Sequence, residues 1–200
     1  MKKAILGGSF NPIHNAHLEM AKCVHEQFDL NDIIVMPNKS TYYKDNNLFV
    51  SDEHRLNMIK LAIEGVPYLS VSDMEIKRGG ITHTIDTVRE YLCEYPGIVL
   101  YFIIGGDSLE WIDHWYEAEE LLRSVNILTA VRGETDIKRT LEIINILKVK
   151  HPESHIEMLN MPNINISSSS IRENIRNGIS VKGLLDEKVI EYIKNNNLYI

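Results

Sequence analysis

The stretch Gly7-Gly8-Ser9-Phe10-Asn11-Pro12-Ile13-His14-Asn15-Ala16-His17-Leu18 constrains this chain more than any other. It follows the apolar run Ala4-Ile5-Leu6, which reads as a first strand, and precedes Leu18, Ala21, Val24 and Phe28 at helical spacing. The stretch is therefore expected to be a strand-to-helix turn. Two glycines allow a tight turn that exposes backbone N–H groups. The helix start adds unpaired N–H groups and the positive end of its dipole, and both attract phosphate. His14 and His17 are three apart, and share a face if the helix covers both. A bare pair of histidines is more often polar surface than a site, and a zinc centre lacks a third ligand at a recognisable spacing. The glycines, Phe10, Pro12 and the strand-helix context shift the balance toward a phosphate site.

The rest of the chain alternates in the same way. Asp32 to Pro37 is a short apolar run, a second buried strand, followed by a polar loop from Asn38 to Phe49 that carries Lys44. Ser51-Asp52-Glu53 caps a helix with acids in its first turn, and Leu56, Ile59, Ala62 and Ile63 form its apolar face. Tyr68 to Ile76 reads as a third strand, and a helix is expected from about Thr84 to Glu94. Val99 to Ile104 is uninterrupted and apolar between glycines, as a central parallel strand would be. It ends at Gly105-Gly106-Asp107, beyond which lie Trp111, Trp115 and Tyr116. Asn126 to Val131 is another strand. The helix from Asp136 to Val149 is expected to bury Ile137, Leu141, Ile144 and Leu147, and Ile156 to Leu159 follows as a strand.

Strands alternating with helices predict an α/β fold, a Rossmann-like doubly wound parallel sheet with helices on both faces and helices at the C-terminus. No repeat, linker or composition break divides the chain, so residues 1–200 are expected to form a single domain. Ligands of such sheets bind beyond the carboxyl ends of the strands, which is where the first turn, the Lys44 loop and Gly105-Gly106-Asp107 fall. The dinucleotide and P-loop glycine patterns are both absent, so other loops must hold any phosphates.

Ile166-Ser167-Ser168-Ser169-Ser170-Ile171-Arg172 supplies one. Ser170 to Glu173 fits a capping box, but capping requires neither four serines nor Arg172. A serine-rich helix start beside an arginine suits an anion. The tail from Asp186 reads as a capped helix with Leu198-Tyr199-Ile200 tucked back. A net charge of −7 argues against a nucleic-acid surface, and no apolar stretch is long enough for a signal peptide or a membrane span. Cys23 and Cys93 lack metal spacing and are expected to be reduced and buried in a cytoplasmic protein. Oligomeric state leaves no signal.

The opening stretch resembles the G-G-[ST]-F-[DN]-P-x-H-x-G-H signature of the HxGH nucleotidyltransferases, in particular the bacterial nicotinate-mononucleotide adenylyltransferases. Ala16 stands where the family has Gly, an extra methyl expected to crowd the nucleotide. The serine-rich stretch resembles the second signature, I-S-S-T-x-I-R, with Ser169 for Thr. Arg78-Gly79-Gly80-Ile81-Thr82-His83-Thr84-Ile85-Asp86-Thr87 resembles R-x-G-x-S-Y-T-x-D-T, with His83 for the aromatic, and of the loop pattern Pro-Pro-His-Lys only Lys44 is kept.

The resemblance implies adenylyl transfer from ATP to nicotinate mononucleotide with Mg2+ held mainly by the phosphates. It implies catalytic roles for His14, His17, Lys44 and Arg172. It implies ATP contacts from Gly7, Gly8, Ser9, Phe10, Ile104, Gly105, Asp107, Ser167, Ser168 and Ser169, besides His14, His17 and Arg172. It implies mononucleotide contacts from Asn11, Lys44, Thr84, Trp115 and Tyr116, with Trp115 stacked on the pyridine. No resident metal ligands are implied. Phosphopantetheine adenylyltransferase, a cytidylyltransferase, or a nucleotide sensor without catalysis are the alternatives.

Overall fold

A computed structural model of the chain describes residues 1–39, 49–131, 134–162 and 164–200. The apolar runs pair side by side. β1 (Lys2–Gly8), β2 (Ile33–Pro37), β3 (Leu69–Val71), β4 (Val99–Gly105), β5 (Asn126–Ala130) and β6 (His155–Leu159) form one parallel sheet in the order β3-β2-β1-β4-β5-β6. Side chains alternate across it. Ala4, Leu6, Ile33, Val35 and Ile103 face one core, while Ile5, Ile34, Met36, Phe102 and Ile104 face a second. Burial on both faces is why these strands read as unbroken apolar runs.

Helices cover each face. The first core takes residues from α1 (Asn15–Phe28), α2 (Asp52–Ala62), α8 (Ser168–Arg176) and α9 (Glu187–Asn195). The second takes residues from α4 (Thr84–Glu94), α5 (Gly106–Leu109), α6 (Ala118–Ser124) and α7 (Glu134–Lys150). The short α3 (Met74–Arg78) and a 3-10 turn, Ile112–His114, complete the order. This is the Rossmann-like doubly wound sheet expected. Its strand order reverses between β1 and β4, and a crevice outside their carboxyl ends is the binding place of such sheets.

Local readings differ in four places. The third strand stops at Val71, and residues 74–78 are helical instead, because Ser72 Oγ accepts from the Met74 N–H at 3.3 Å and Asp73 C=O takes the Lys77 N–H at 2.9 Å. On α7 the inward position after Ile137 is Thr140, not Leu141, which is 46% exposed. Cys23 is buried as expected but Cys93 is exposed. Leu198 is buried in the tail, whereas Ile200 points outward.

Among the described residues one charged side chain lies wholly inside. Arg55, 0% exposed, stands on the inward face of α2. Its Nη1 donates to Ser9 C=O at 2.7 Å, and its Nη2 to Asn38 C=O at 2.8 Å and to Asp52 Oδ1 at 2.6 Å. It therefore joins the segments that leave β1 and β2. Lys39 Nζ donates to the other Asp52 oxygen at 2.7 Å. Desolvation works to raise the Asp52 carboxyl, but the hydrogen bonds and charges of Lys39 and Arg55 outweigh it and hold it below the usual range.

Replacing Arg55 by Leu strands two carbonyls and half a carboxylate. Breaking a buried pair by removing one partner costs about 3–5 kcal/mol, so Arg55→Leu is expected to lose that much in urea unfolding. A loss under 1 kcal/mol would rule out the clamp. Because Asp52 titrates lower folded than unfolded, its contribution is full above about pH 4 and is lost as pH falls through the depressed folded value.

Candidate active site

The turn after β1 is built differently from its sequence reading. Gly7 and Gly8 are the extended end of the strand, and neither has a positive φ. They are glycines because rings lie over them: a Cβ on Gly7 would sit 3.0 Å from Phe102 Cζ, and one on Gly8 3.0 Å from Phe10 Cζ. The sharp residue is Phe10, at φ 45°. A bulky side chain there is strained by roughly 1–3 kcal/mol, and the ring is held by near-complete burial and an edge contact to His17 with centroids 5.0 Å apart. The Asn11–Pro12 peptide is cis.

His14 and His17 do not share a helical face. His14 is the N-cap, with extended backbone, and α1 begins one residue later. The rings are brought together by capping instead. The His14 N–H donates to His17 Nδ1 at 3.3 Å, and the rings stack with centroids 3.7 Å apart and planes 22° from parallel. Since a backbone N–H can only donate, His17 Nδ1 is an acceptor, and the ring proton of neutral His17 lies on Nε2. The start of α1 is also less open than expected, because the Asn15 N–H donates to Leu184 C=O at 3.0 Å. Ala16 is buried in the first core.

The second signature arrives at the same place. Ser167 caps α8, its Oγ accepting from the Ser170 N–H at 3.1 Å; the cap is thus Ser167, not Ser170. Ser168 Oγ donates to Pro12 C=O at 2.9 Å, Arg172 Nη1 to Asn11 C=O at 2.8 Å, and Arg172 Nη2 to Ser169 Oγ at 3.3 Å. These bonds seat the α8 start on the first turn. Between them lies a cleft of about 270 Å³ lined by Ser9, Phe10, Asn11, His17, Phe49, Ser168, Ser169 and Arg172. Arg172 is half-buried and makes no ion pair among the described residues; desolvation pulls its pKa down. The cleft therefore presents a guanidinium, hydroxyls and the first N–H groups of α8, which no intrahelical acceptor can reach. That set fits the phosphates of a nucleotide.

Other expected residues lie apart from this cleft. Gly105 and Asp107 line a second cavity of about 140 Å³ at the carboxyl ends of β4 and β5, with Gly106, Ala130, Arg139 and Thr140. Asp107 is exposed there, whereas Ile104 is buried in the second core and offers only its backbone. Thr84 opens α4, with His83 as N-cap. Trp115 is partly buried against the second core, so the open ring of the pair is Tyr116, 53% exposed and 4.4 Å from the His83 ring. Lys44 lies outside the described residues. Among those described, no three His, Cys, Asp or Glu side chains converge as a metal site, and no helix is long and apolar enough to cross a membrane. The larger groove of about 700 Å³, beside Ile175, Ile179, Ile190 and Ile200, contains none of the signature residues.

Sequence reasoning missed Arg55 and Tyr199. Arg55 stands three residues after Asp52 and looks like an exposed helical ion pair. Tyr199 reaches Asn11 from the far end of the chain, and no local pattern announces that.

A parallel sheet with an anion-collecting cleft outside β1, and a second cavity outside β4 and β5, defines a nucleotide-binding α/β protein. Comparison with known proteins narrows this. Residues 5–174 match the cytidylyltransferase-like family model. A probable nicotinate-nucleotide adenylyltransferase of Lachnoclostridium phytofermentans is 40% identical over 100% of this chain and 99% of its own. One of Listeria welshimeri is 36% identical over 99% and 97%. The solved nicotinic acid mononucleotide adenylyltransferase of Plasmodium falciparum, complexed with NaAD, shares the fold with a TM-score of 0.81 at 24% identity, covering 100% of this chain and 98% of that one. The chain belongs to the cytidylyltransferase-like family, and within it to the nicotinate-nucleotide adenylyltransferases.

His17 has a structural duty as well as any chemical one. His17→Ala removes the acceptor for the His14 N–H, and a lost helix cap costs about 1 kcal/mol. Chemical denaturation is expected to register that loss; an unchanged midpoint would mean that the capping bond carries no weight.

Proposed function

We propose that this chain transfers the adenylyl group of ATP to nicotinate mononucleotide, releasing pyrophosphate and forming nicotinate adenine dinucleotide, and that residues 1–200 act as one domain. The observation that carries the reading is Arg172. A partly desolvated guanidinium with no carboxylate partner among the described residues lines one cleft with the α8 start and His17. Such a charge is completed by an anionic ligand. The full-length relatives carry the name of this activity.

The mononucleotide phosphate is already anionic at neutral pH, so its attack needs neither a general base nor a protein nucleophile. An oxygen of that phosphate bonds to the α-phosphorus of ATP in line, and the bond to the β-phosphate oxygen breaks, its electron pair leaving on pyrophosphate. Alignment and charge stabilisation remain for the protein. We assign His14 and His17 to the α-phosphate, with His17 Nε2–H as a donor. Arg172, Ser167, Ser168 and Ser169 take the outer phosphates, as does Lys44 by resemblance. Gly7, Gly8, Ser9 and Phe10 frame the nucleotide. Gly105, Asp107 and the Ile104 backbone take the adenosine, Asp107 accepting from ribose hydroxyls.

Asn11, Thr84, Trp115 and Tyr116 serve the mononucleotide. Magnesium bound to the ATP phosphates supplies further charge neutralisation. The cleft's guanidinium and hydroxyls suit such a metal-nucleotide, held through its phosphates. Two free cysteines, one of them exposed, favour the cytoplasm.

Pyrophosphate release from ATP with a panel of mononucleotides tests the reading. Nicotinate mononucleotide is expected to be preferred by kcat/KM over the nicotinamide form. N–H groups at the α4 start can bind a carboxylate, whereas an amide turns an NH2 toward them and leaves donors unpaired. Each such mismatch costs about 1–3 kcal/mol, roughly ten- to a hundredfold. Since a ring stack is blind to acid or amide, Tyr116→Ala should weaken both alike and leave the preference in place. Equal rates, a preference for the amide, or activity only with phosphopantetheine or CTP would overturn the assignment.

In the same assay His17→Ala is expected to lose roughly 10²–10³ in turnover, the usual cost of one preorganised donor. That exceeds anything its small loss of stability explains, and near-normal turnover would remove His17 from the chemistry.

A further inference from the structure

We propose that Tyr199 is a positioning residue of the active site, fixing the side chain of Asn11 from the opposite end of the chain; this rests on the reading given under Proposed function. Tyr199 Oη donates to Asn11 Oδ1 at 2.8 Å, across 188 residues of sequence. The polarity of the bond follows from a neighbour. The Val50 N–H points at the same Asn11 atom at 3.4 Å and can only donate. That atom is therefore the oxygen, and the tyrosine hydroxyl supplies the proton. Burial pushes the phenol up, against the opposing charges of Arg172 and Arg55, so it stays protonated and able to donate.

The tail that carries Tyr199 has a fixed address. α9 is clamped to α2 through Tyr192, whose hydroxyl lies 2.9 Å from His54 Nδ1 and accepts from Asn57 Nδ2 at 3.0 Å. Beyond α9 the chain reverses through Asn197, at φ 49°, with the Leu198 N–H on Ile193 C=O at 3.0 Å and the Leu198 side chain buried. Tyr199 itself holds φ 66°. A tyrosine accepts left-handed backbone at some cost; here that backbone goes with a hydroxyl set on Asn11.

Asn11 is where this bond matters. Its carbonyl seats Arg172 at 2.8 Å, its side chain lines the cleft, and it is almost wholly buried. With Oδ1 held by Tyr199 and Val50, the amide cannot turn over, and its NH2 keeps one direction. Removing the hydroxyl takes away the shorter of these two bonds to Oδ1, beside the guanidinium assigned to the phosphates.

The test is Tyr199→Phe, which keeps the ring and removes the hydroxyl. Adenylyl transfer is measured in the wild type, Tyr199→Phe, Asn11→Ala and the double variant, with melting temperatures. The expected result is a roughly three- to tenfold drop in kcat/KM, the worth of one hydrogen bond. Tm is expected to fall by no more than about 4 °C, and no further drop should appear when Tyr199→Phe is added to Asn11→Ala. A purely structural tyrosine would give independent, additive losses; additivity, or a Tyr199→Phe enzyme with wild-type constants, overturns the proposal. Should the wild type form no dinucleotide, the functional reading fails on its own. Thermal protection by a non-hydrolysable ATP analogue then decides Tyr199: weaker protection of Tyr199→Phe supports the role, and equal protection removes it.

Discussion

The site depends on how the chain leaves the strands, and Arg55 governs that. Its guanidinium holds Ser9 C=O just after β1 and Asn38 C=O just after β2. Buried ion pairs contribute little net stability against apolar packing of the same shape, because desolvation offsets the attraction. What this one fixes is direction. Two segments that would otherwise take independent paths are held to one planar fork, and Asp52 and Lys39 hold the fork in turn. Phe10, strained at φ 45°, and the histidines behind it inherit that direction.

Much of this was legible in the residues. Every strand and most helices followed from apolar periodicity, since a parallel sheet buried on both faces leaves unbroken runs. Both signatures were legible because their chemistry-bearing residues sit at junctions between elements, where propensity alone gives no reason for them. The readings that went astray share a cause. Gly7 and Gly8 looked like a turn, but their small size answers to the rings of Phe102 and Phe10, a tertiary fact. Leu141 and Thr140 differ by one helical step, and hydrophobicity chose the wrong one because a threonine can be buried. Arg55 and Tyr199 act through partners distant in space or sequence. Of the site, the α8 cleft was legible, while the bonds that aim its residues were not.

His17 shows why the two signatures cannot be read as independent lists of contacts. Its Nδ1 is committed to the start of α1, so the proton of the neutral ring is on Nε2. Fold and the proposed reaction thus call on different nitrogens of one ring. The capping bond selects the tautomer, so a structural interaction decides which proton a ligand meets.

The overall charge makes the local arrangement necessary. At −7 the molecule repels the anions it is proposed to bind, but beyond about 8 Å at physiological salt that field is screened. Inside the cleft the balance is set by what lies within that distance. Among the described residues Arg172 lacks an acidic partner, and the α8 start adds its dipole and open N–H groups. Four of the other described arginines are matched: Arg55 by Asp52, Arg78 by Glu90, Arg89 by Asp86, Glu117 and Glu120, Arg139 by Glu110. An acidic protein that leaves Arg172 without a carboxylate, with Arg176 one turn further along α8, keeps positive potential at this opening. The sheet topology puts that opening outside the strand order's reversal, so charge and fold select the same place.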